Sequence, residues 1–219
     1  ASQKYGVRLC EINGGSLRNA IPRESFATVI VPAAKADKLQ KLVEEYNAAV
    51  KEQFAEAEPD LSVSIVEAAM PKQVIDNKTY KNMMEAIAKY PNGVIGMSKD
   101  FEGTVETSSN LALVKLENGK IITCSLQRGL VDELKDELAA NIREVLKEHG
   151  AEVESTGSYH GWKPNINSPI LATMKKVYKD KFGKEPKVMV IHAGLECGIL
   201  GAKYPNWDMI SFGPTLVHP

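Results

Sequence analysis

Asn118-Gly119 lies between two apolar runs, Asn110 to Glu117 and Lys120 to Leu126. Both central positions of a type I′ turn need positive φ, so Asn-Gly at this point predicts a two-residue β-hairpin. A helical stripe follows on Leu130, Leu134, Leu138, Ile142, Val145 and Leu146. Gly150 is placed to close that helix as its left-handed residue. Antiparallel strands joined locally and backed by helices make an α+β architecture.

The preceding residues read as an earlier version of the same unit. Tyr5 to Ile12 predicts a strand, Asn13-Gly14-Gly15 a turn, and Ser25 to Val31 a second strand that Pro32 ends. Leu39, Leu42, Val43, Tyr46, Val50 and Phe54 fall at helical spacing until Pro59-Asp60 breaks the pattern. Leu61 to Val66 alternates as a strand. Asp76 predicts an N-cap for a helix carrying Tyr80, Met83, Met84, Ile87 and Tyr90, with the methionine pair as core filler. Tyr90-Pro91-Asn92-Gly93 ends that helix, and Ala151 to Tyr159 predicts a strand after the second unit. The expected fold is therefore α+β over residues 1–159: a duplicated antiparallel sheet with helices on one face.

The pattern changes at His160-Gly161-Trp162-Lys163-Pro164. Ser168 reads as an N-cap with Pro169 at the first helical position. Leu171, Met174, Val177, Tyr178 and Phe182 form a helical stripe that Gly183 stops. Lys187 to Ile191 predicts a strand, His192 to Gly198 a loop opening into a short helix that Pro205 ends, and Asp208 to Phe212 a further strand. Strand, glycine-bearing loop, helix and strand follow α/β logic, so residues 160–219 read as a partial α/β segment.

Composition removes several function classes. Lys and Arg number 27 against 28 Asp and Glu, a net charge of −1. A near-neutral chain lacks the basic excess on which phosphate affinity rests, so nucleic acid is not an expected partner. No apolar run approaches the roughly 18 residues of a membrane helix, and no signal peptide is visible. Cys10, Cys124 and Cys197 are odd in number and lack CxxC spacing, which reads as reduced thiols in a cytoplasmic protein. The chain runs from Ala1 to Pro219 with strands expected almost at both ends, which reads as a piece of something longer or a product of trimming.

His192-Ala193-Gly194-Leu195-Glu196-Cys197-Gly198 is the main candidate for chemistry. Its glycines can serve backbone geometry alone. Alternatively, His192 and Glu196, four apart, could face one metal ion. Cys197 with His192 could form a nucleophile pair, given an orienting group and an oxyanion hole. Free backbone N–H groups opening a helix could bind a carboxylate. Arg128, at a strand end, is either a surface residue or a bidentate carboxylate grip. Asn19, after a glycine-rich turn, either turns the backbone or donates to a ligand. His149 lies in a last helical turn, where a cation suits the macrodipole. His160 and His218 have no visible partners. HExxH, the Walker loop, GxGxxG and GxSxG are all absent.

Three segments together resemble the cytosolic Xaa-His dipeptidases (aminoacyl-histidine or beta-alanyl-histidine dipeptidases) of the M20 family of co-catalytic zinc peptidases. They are Leu9 to Pro22, then His160 to Pro164 with Gly183 to Pro186, and His192 to Pro214. The resemblance covers essentially the whole chain in the same order.

The resemblance implies an α/β catalytic domain interrupted by an inserted lid. Residues 1–159 would be most of the lid and residues 160–219 the return into the catalytic domain. It implies two zinc ions whose ligands lie outside this chain, with His218 rejected as a ligand. It implies a dipeptide substrate and a homodimer, with strand-edge pairing expected at Ala1. Asn19 would contact the substrate end, Arg128 would grip its carboxylate, and His192, Gly194, Glu196 and Cys197 would line the loop closing around it. Gly129 departs from the pattern, which has a small polar residue after the arginine. By this reading the chain alone is inactive.

Overall fold

The computed structural model describes residues 2–162, 165–190 and 196–213. The elements in chain order are α1 (Ser2–Tyr5), β1 (Arg8–Gly15), β2 (Ser25–Ile30), a 3-10 turn (Ala33–Lys35), α2 (Ala36–Gln53), α3 (Asn77–Lys89), β3 (Gly93–Met97), β4 (Val105–Glu117), β5 (Lys120–Gly129), α4 (Asp132–Glu148), α5 (Pro169–Phe182) and α6 (Glu196–Lys203). They fall into two compact units. The first holds residues 1–84 and 112–124, the second 85–111 and 125–219.

In the first unit β1 pairs antiparallel with β2, Arg8 opposite Ile30 and Gly14 opposite Ser25. The far edge of β1 pairs antiparallel with β4, Gly15 opposite Leu113. Leu9, Cys10, Leu39, Val50, Ile75, Met83 and Ala112 are buried there. Of the methionine pair only Met83 enters the core; Met84 is exposed. In the second unit β3 pairs antiparallel with β4, Gly93 opposite Ser109. Its core gathers Tyr90, Leu138 and Ile142, with Leu111 and Leu146 packed against them. β5 pairs with β4 through the predicted turn, and Asn118 (φ 51°) and Gly119 (φ 75°) both take the left-handed conformation.

The helix ends follow their sequence signals. Asp76 Oδ1 accepts from the N–H groups of Lys78 and Thr79 at 3.0 Å, capping α3. At the end of α4 the Gly150 N–H reaches the Lys147 carbonyl (2.9 Å) and the Ala151 N–H the Leu146 carbonyl (3.0 Å), the paired bonds of a Schellman stop. Ser168 caps α5 at the Leu171 N–H, and Gly183 (φ 69°) ends it.

Four differences from the sequence reading have physical causes. The chain opens with a helical turn at α1, so the first strand starts at Arg8, and the strand edge beside β1 belongs to β2, not Ala1. Asn13-Gly14-Gly15 stays inside β1 because its glycines admit close neighbours: a Cβ on Gly14 would lie 2.6 Å from Ser25 Oγ. β3 went unread because Gly93-Val94-Ile95-Gly96-Met97 offers two glycines and no alternation. The stretches 61–66, 151–159, 187–190 and 208–212 form no strand among the described residues. In two of them polar groups go to a helix instead: Val63 N–H to Asn47 Oδ1 (2.7 Å), and Ser155 Oγ accepting from Arg143 Nη2 (2.9 Å). An antiparallel strand pair followed by a helix occurs twice, in β1-β2-α2 and in β4-β5-α4, and the strand expected to close each repeat is not formed.

Gly15 is the tightest backbone position in the first unit. A Cβ there would sit 1.8 Å from the Ala112 carbonyl oxygen, at φ 75°. Gly119 has the same φ with nothing within 4 Å. Gly119→Ala is expected to cost about 1–2 kcal/mol, the left-handed penalty alone. Gly15→Ala is expected to cost about 3 kcal/mol or more, because the paired strand must also move. Denaturant unfolding of the two variants side by side checks the difference.

Candidate functional site

The site is built in the second unit, where three glycines let three stretches of backbone approach. A Cβ on Gly198, in the first turn of α6, would lie 2.6 Å from the His160 carbonyl oxygen. A Cβ on Gly161 would lie 2.7 Å from the Leu130 carbonyl oxygen and 3.0 Å from that of Gly129. A Cβ on Gly129 would lie 3.0 Å from Lys135 Cβ. The end of β5, the 160–161 segment and the start of α6 are therefore stacked in contact. A side chain at Gly129 would crowd its surroundings, with its Cβ 3.0 Å from Lys135 Cβ and 3.1 Å from the Val131 carbonyl oxygen.

Asp132, the first residue of α4, holds the stack. Its Oδ1 accepts from the Gly161 N–H and from Lys135 Nζ, both at 2.8 Å, and its Oδ2 lies 2.7 Å from His160 Nδ1. Lys135 Nζ also donates to the Tyr159 carbonyl at 2.7 Å. Burial of the Asp132 carboxyl works against ionisation. The bonds from Lys135, Gly161 and His160 outweigh it and hold the group down at about 2. His160 thus has a partner that sequence reading missed. The two residues are 28 apart, and neither carries a local motif.

Beside this latch lies a cavity of about 520 Å³, lined among others by Asp132, His160, Trp162, Cys197, Trp207 and Asp208. Asp208 Oδ2 accepts from the Ile170 N–H at 2.8 Å and so ties this wall to the start of α5. Trp207 stacks on Tyr204 with ring centroids 4.3 Å apart.

Of the sequence candidates, Arg128, Glu196 and Cys197 lie in this unit. Arg128 is half-buried at the end of β5 and has no ion-pair or hydrogen-bond partner among the described residues. Glu196 is exposed and Cys197 half-buried at the start of α6. Burial, and then the Glu196 charge, push the Cys197 thiol above its ordinary value, which is the wrong direction for a nucleophile. Asn19 is exposed in the turn between β1 and β2, in the first unit. His192 and Gly194 lie outside the described residues, as do Lys163, Pro164 and His218. His149 accepts its structural reading, with Nδ1 2.7 Å from the Val145 carbonyl.

Among the described residues no group of three His, Cys, Asp or Glu side chains is placed to hold a metal ion. The described residues do not form a zinc site. Within them no helix is long and apolar enough to cross a membrane.

Residues 1–58 match the M20 peptidase dimerisation domain. The whole chain is 38% identical over 218 residues to the cytosol non-specific dipeptidase of Escherichia coli (strain K12), covering 45% of that protein. It is also similar to the crystal structure of aminoacylhistidine dipeptidase from Vibrio alginolyticus, with TM-score 0.91 and 41% identity, over 100% of this chain and 44% of that one. The chain thus spans about half the length of the relatives it matches.

The depressed Asp132 carboxyl links stability to pH. A group lowered on folding contributes fully above its unfolded value of 3.8, and the contribution is lost as pH falls through about 2. After screening at a partly exposed site it is worth about 1 kcal/mol. Stability of the second unit is expected to fall between pH 4 and pH 2, and Asp132→Asn to flatten that slope while lowering stability at pH 7. Denaturant midpoints across the range check this.

Proposed function

We propose that this chain, whose homologues are dipeptidases of the M20 peptidase family, is the lid and the returning catalytic segment of a zinc-dependent, cytoplasmic dipeptidase that hydrolyses Xaa-His dipeptides. Residues 1–159 form the lid and residues 160–219 the returning segment. The observation that carries the reading is Arg128: a half-buried guanidinium, on a strand end, with no carboxylate partner among the described residues. A planar fork of donors held there grips a carboxylate bidentately. Gripping the C-terminal carboxylate at a fixed distance from the scissile bond measures off one residue, which makes a peptidase a dipeptidase.

The loop ending at Glu196 and Cys197, with His192 and Gly194, closes around the dipeptide, and Asn19 contacts the substrate end. The two zinc ions of this reading are held by ligands outside the chain. Exposed apolar side chains on the 160–219 segment support its being covered by further protein: Met189 is 77%, Phe212 76% and Ile166 64% exposed.

Zinc content and Xaa-His hydrolysis, measured side by side on this chain and on the polypeptide of the whole reading frame that encodes it, test the proposal. The chain alone is expected to hold no stoichiometric zinc and to turn nothing over; the longer polypeptide does both. In the longer polypeptide Arg128→Met is expected to raise KM roughly 10- to 100-fold, the worth of a hydrogen-bonded charge pair. Turnover by the chain alone, or an unchanged KM, overturns the reading.

The same chain forms a homodimer through β2. The dimerisation-domain match covers β1, β2 and α2. β2 ends the strand order, and its Phe26 is 64% exposed. An open edge with an exposed aromatic residue invites a second strand. Phe26→Lys is expected to convert the dimer to monomer without loss of helicity, read by light scattering and circular dichroism; a wild-type monomer, or a variant still dimeric, removes this assignment.

A further inference from the structure

We propose that Asp132 is a positioning residue, seating the first turn of α6 by latching the 159–161 segment on which that turn rests. The proposal deepens the dipeptidase reading, since it is the substrate contact of Glu196 and Cys197 that the seat would govern.

The argument runs through contacts. Residues 159–161 have no strand partner among the described residues, so side chains must fix them. Three successive residues are tied to one turn of α4. The Tyr159 carbonyl accepts from Lys135 (2.7 Å), the His160 ring bonds Asp132 Oδ2 (2.7 Å), and the Gly161 N–H donates to Asp132 Oδ1 (2.8 Å). Lys135 and Asp132 also bond each other at 2.8 Å, so the latch is one connected network. On the other side of the same segment, the missing Cβ of Gly198 leaves room for the His160 carbonyl at 2.6 Å from where it would stand. A close-packed contact transmits displacement rather than absorbing it. Letting the 159–161 segment move therefore moves the seat of Cys197 and Gly198.

The carboxylate is the one group that accepts all three bonds. An amide at this position keeps one oxygen for Lys135 and Gly161, but it turns a donor toward His160 Nδ1 and lacks the charge that pairs with Lys135. Asp132→Asn is expected to speed hydrogen exchange at the Gly161 amide and at the amides of Gly198 to Lys203 by about tenfold or more in this chain, with exchange in α2 unchanged. Lys135→Met, which spares the carboxylate and removes the Tyr159 tie, is expected to give a smaller change in the same amides. It serves as the second variant should Asp132→Asn fold poorly. In the longer polypeptide both variants are expected to raise KM for an Xaa-His dipeptide several-fold with kcat within twofold, a split that a loss of folded protein does not produce.

Unchanged α6 exchange in both variants overturns the latch, whatever the kinetics. Raised exchange with unchanged KM overturns its role in substrate positioning. If the longer polypeptide hydrolyses no dipeptide at all, the dipeptidase reading falls, and α6 exchange still decides whether Asp132 seats the helix.

Discussion

One carboxylate at the start of α4 organises the second unit. A helix N-terminus already favours an anion, because its first N–H groups have no partners within the helix. Val131, the capping position, offers no side-chain bond, so Asp132 is left to face outward from the turn. It spends both oxygens on a segment 28 and 29 residues away. The carboxylate is thus a long-range tie between elements with no shared ladder. The glycines at 161 and 198 are the steric condition for it, since a Cβ at either would stand within 2.7 Å of a backbone carbonyl oxygen of the neighbouring segment.

Arg128 owes its direction to its neighbour. Gln127 Nε2 lies 3.2 Å from Tyr90 Oη, 3.4 Å from Ser109 Oγ and 3.0 Å from Ser125 Oγ. Two N–H groups can serve two of these hydroxyls at a time, and Ser109 and Tyr90 are themselves buried. A satisfied polar hub inside an apolar core fixes one arrangement over its alternatives. Successive strand side chains face opposite ways, so anchoring Gln127 inward turns Arg128 to the other face. The core's specificity and the direction of Arg128 are one constraint on β5.

What was legible in the sequence was local. The Asn118-Gly119 hairpin, the Asp76 cap, the Gly150 stop and the Ser168-Pro169 entry each state their geometry within four residues, and each formed. The α+β class followed from them. Residues 61–66 alternate, and 151–159 also read as a strand, but neither formed one, because such patterns report a half-buried surface and not the presence of a ladder partner. The latch was invisible for the same reason: His160 in a turn-rich string and Asp132 at a helix start are both unremarkable until the fold brings them to 2.7 Å. Gly129 was legible as a departure from pattern, but its cause lies in Lys135 and Val131, beyond any motif.

Cys197 shows how two sequence signals of opposite sign are resolved by position. A thiol at a helix start is ordinarily acidified, because the helix end favours its thiolate. Half-burial and the adjacent Glu196 carboxylate act the other way and prevail. A protonated thiol beside a glycine that must admit a backbone carbonyl is a small apolar wall residue. The cavity it lines has two carboxylates that make structural bonds, Asp132 to Lys135, Gly161 and His160 and Asp208 to the Ile170 N–H, and two indoles, and its thiol is held neutral. On the dipeptidase reading proposed above, such a wall would orient the substrate, and Arg128 and the α6 turn would bind it.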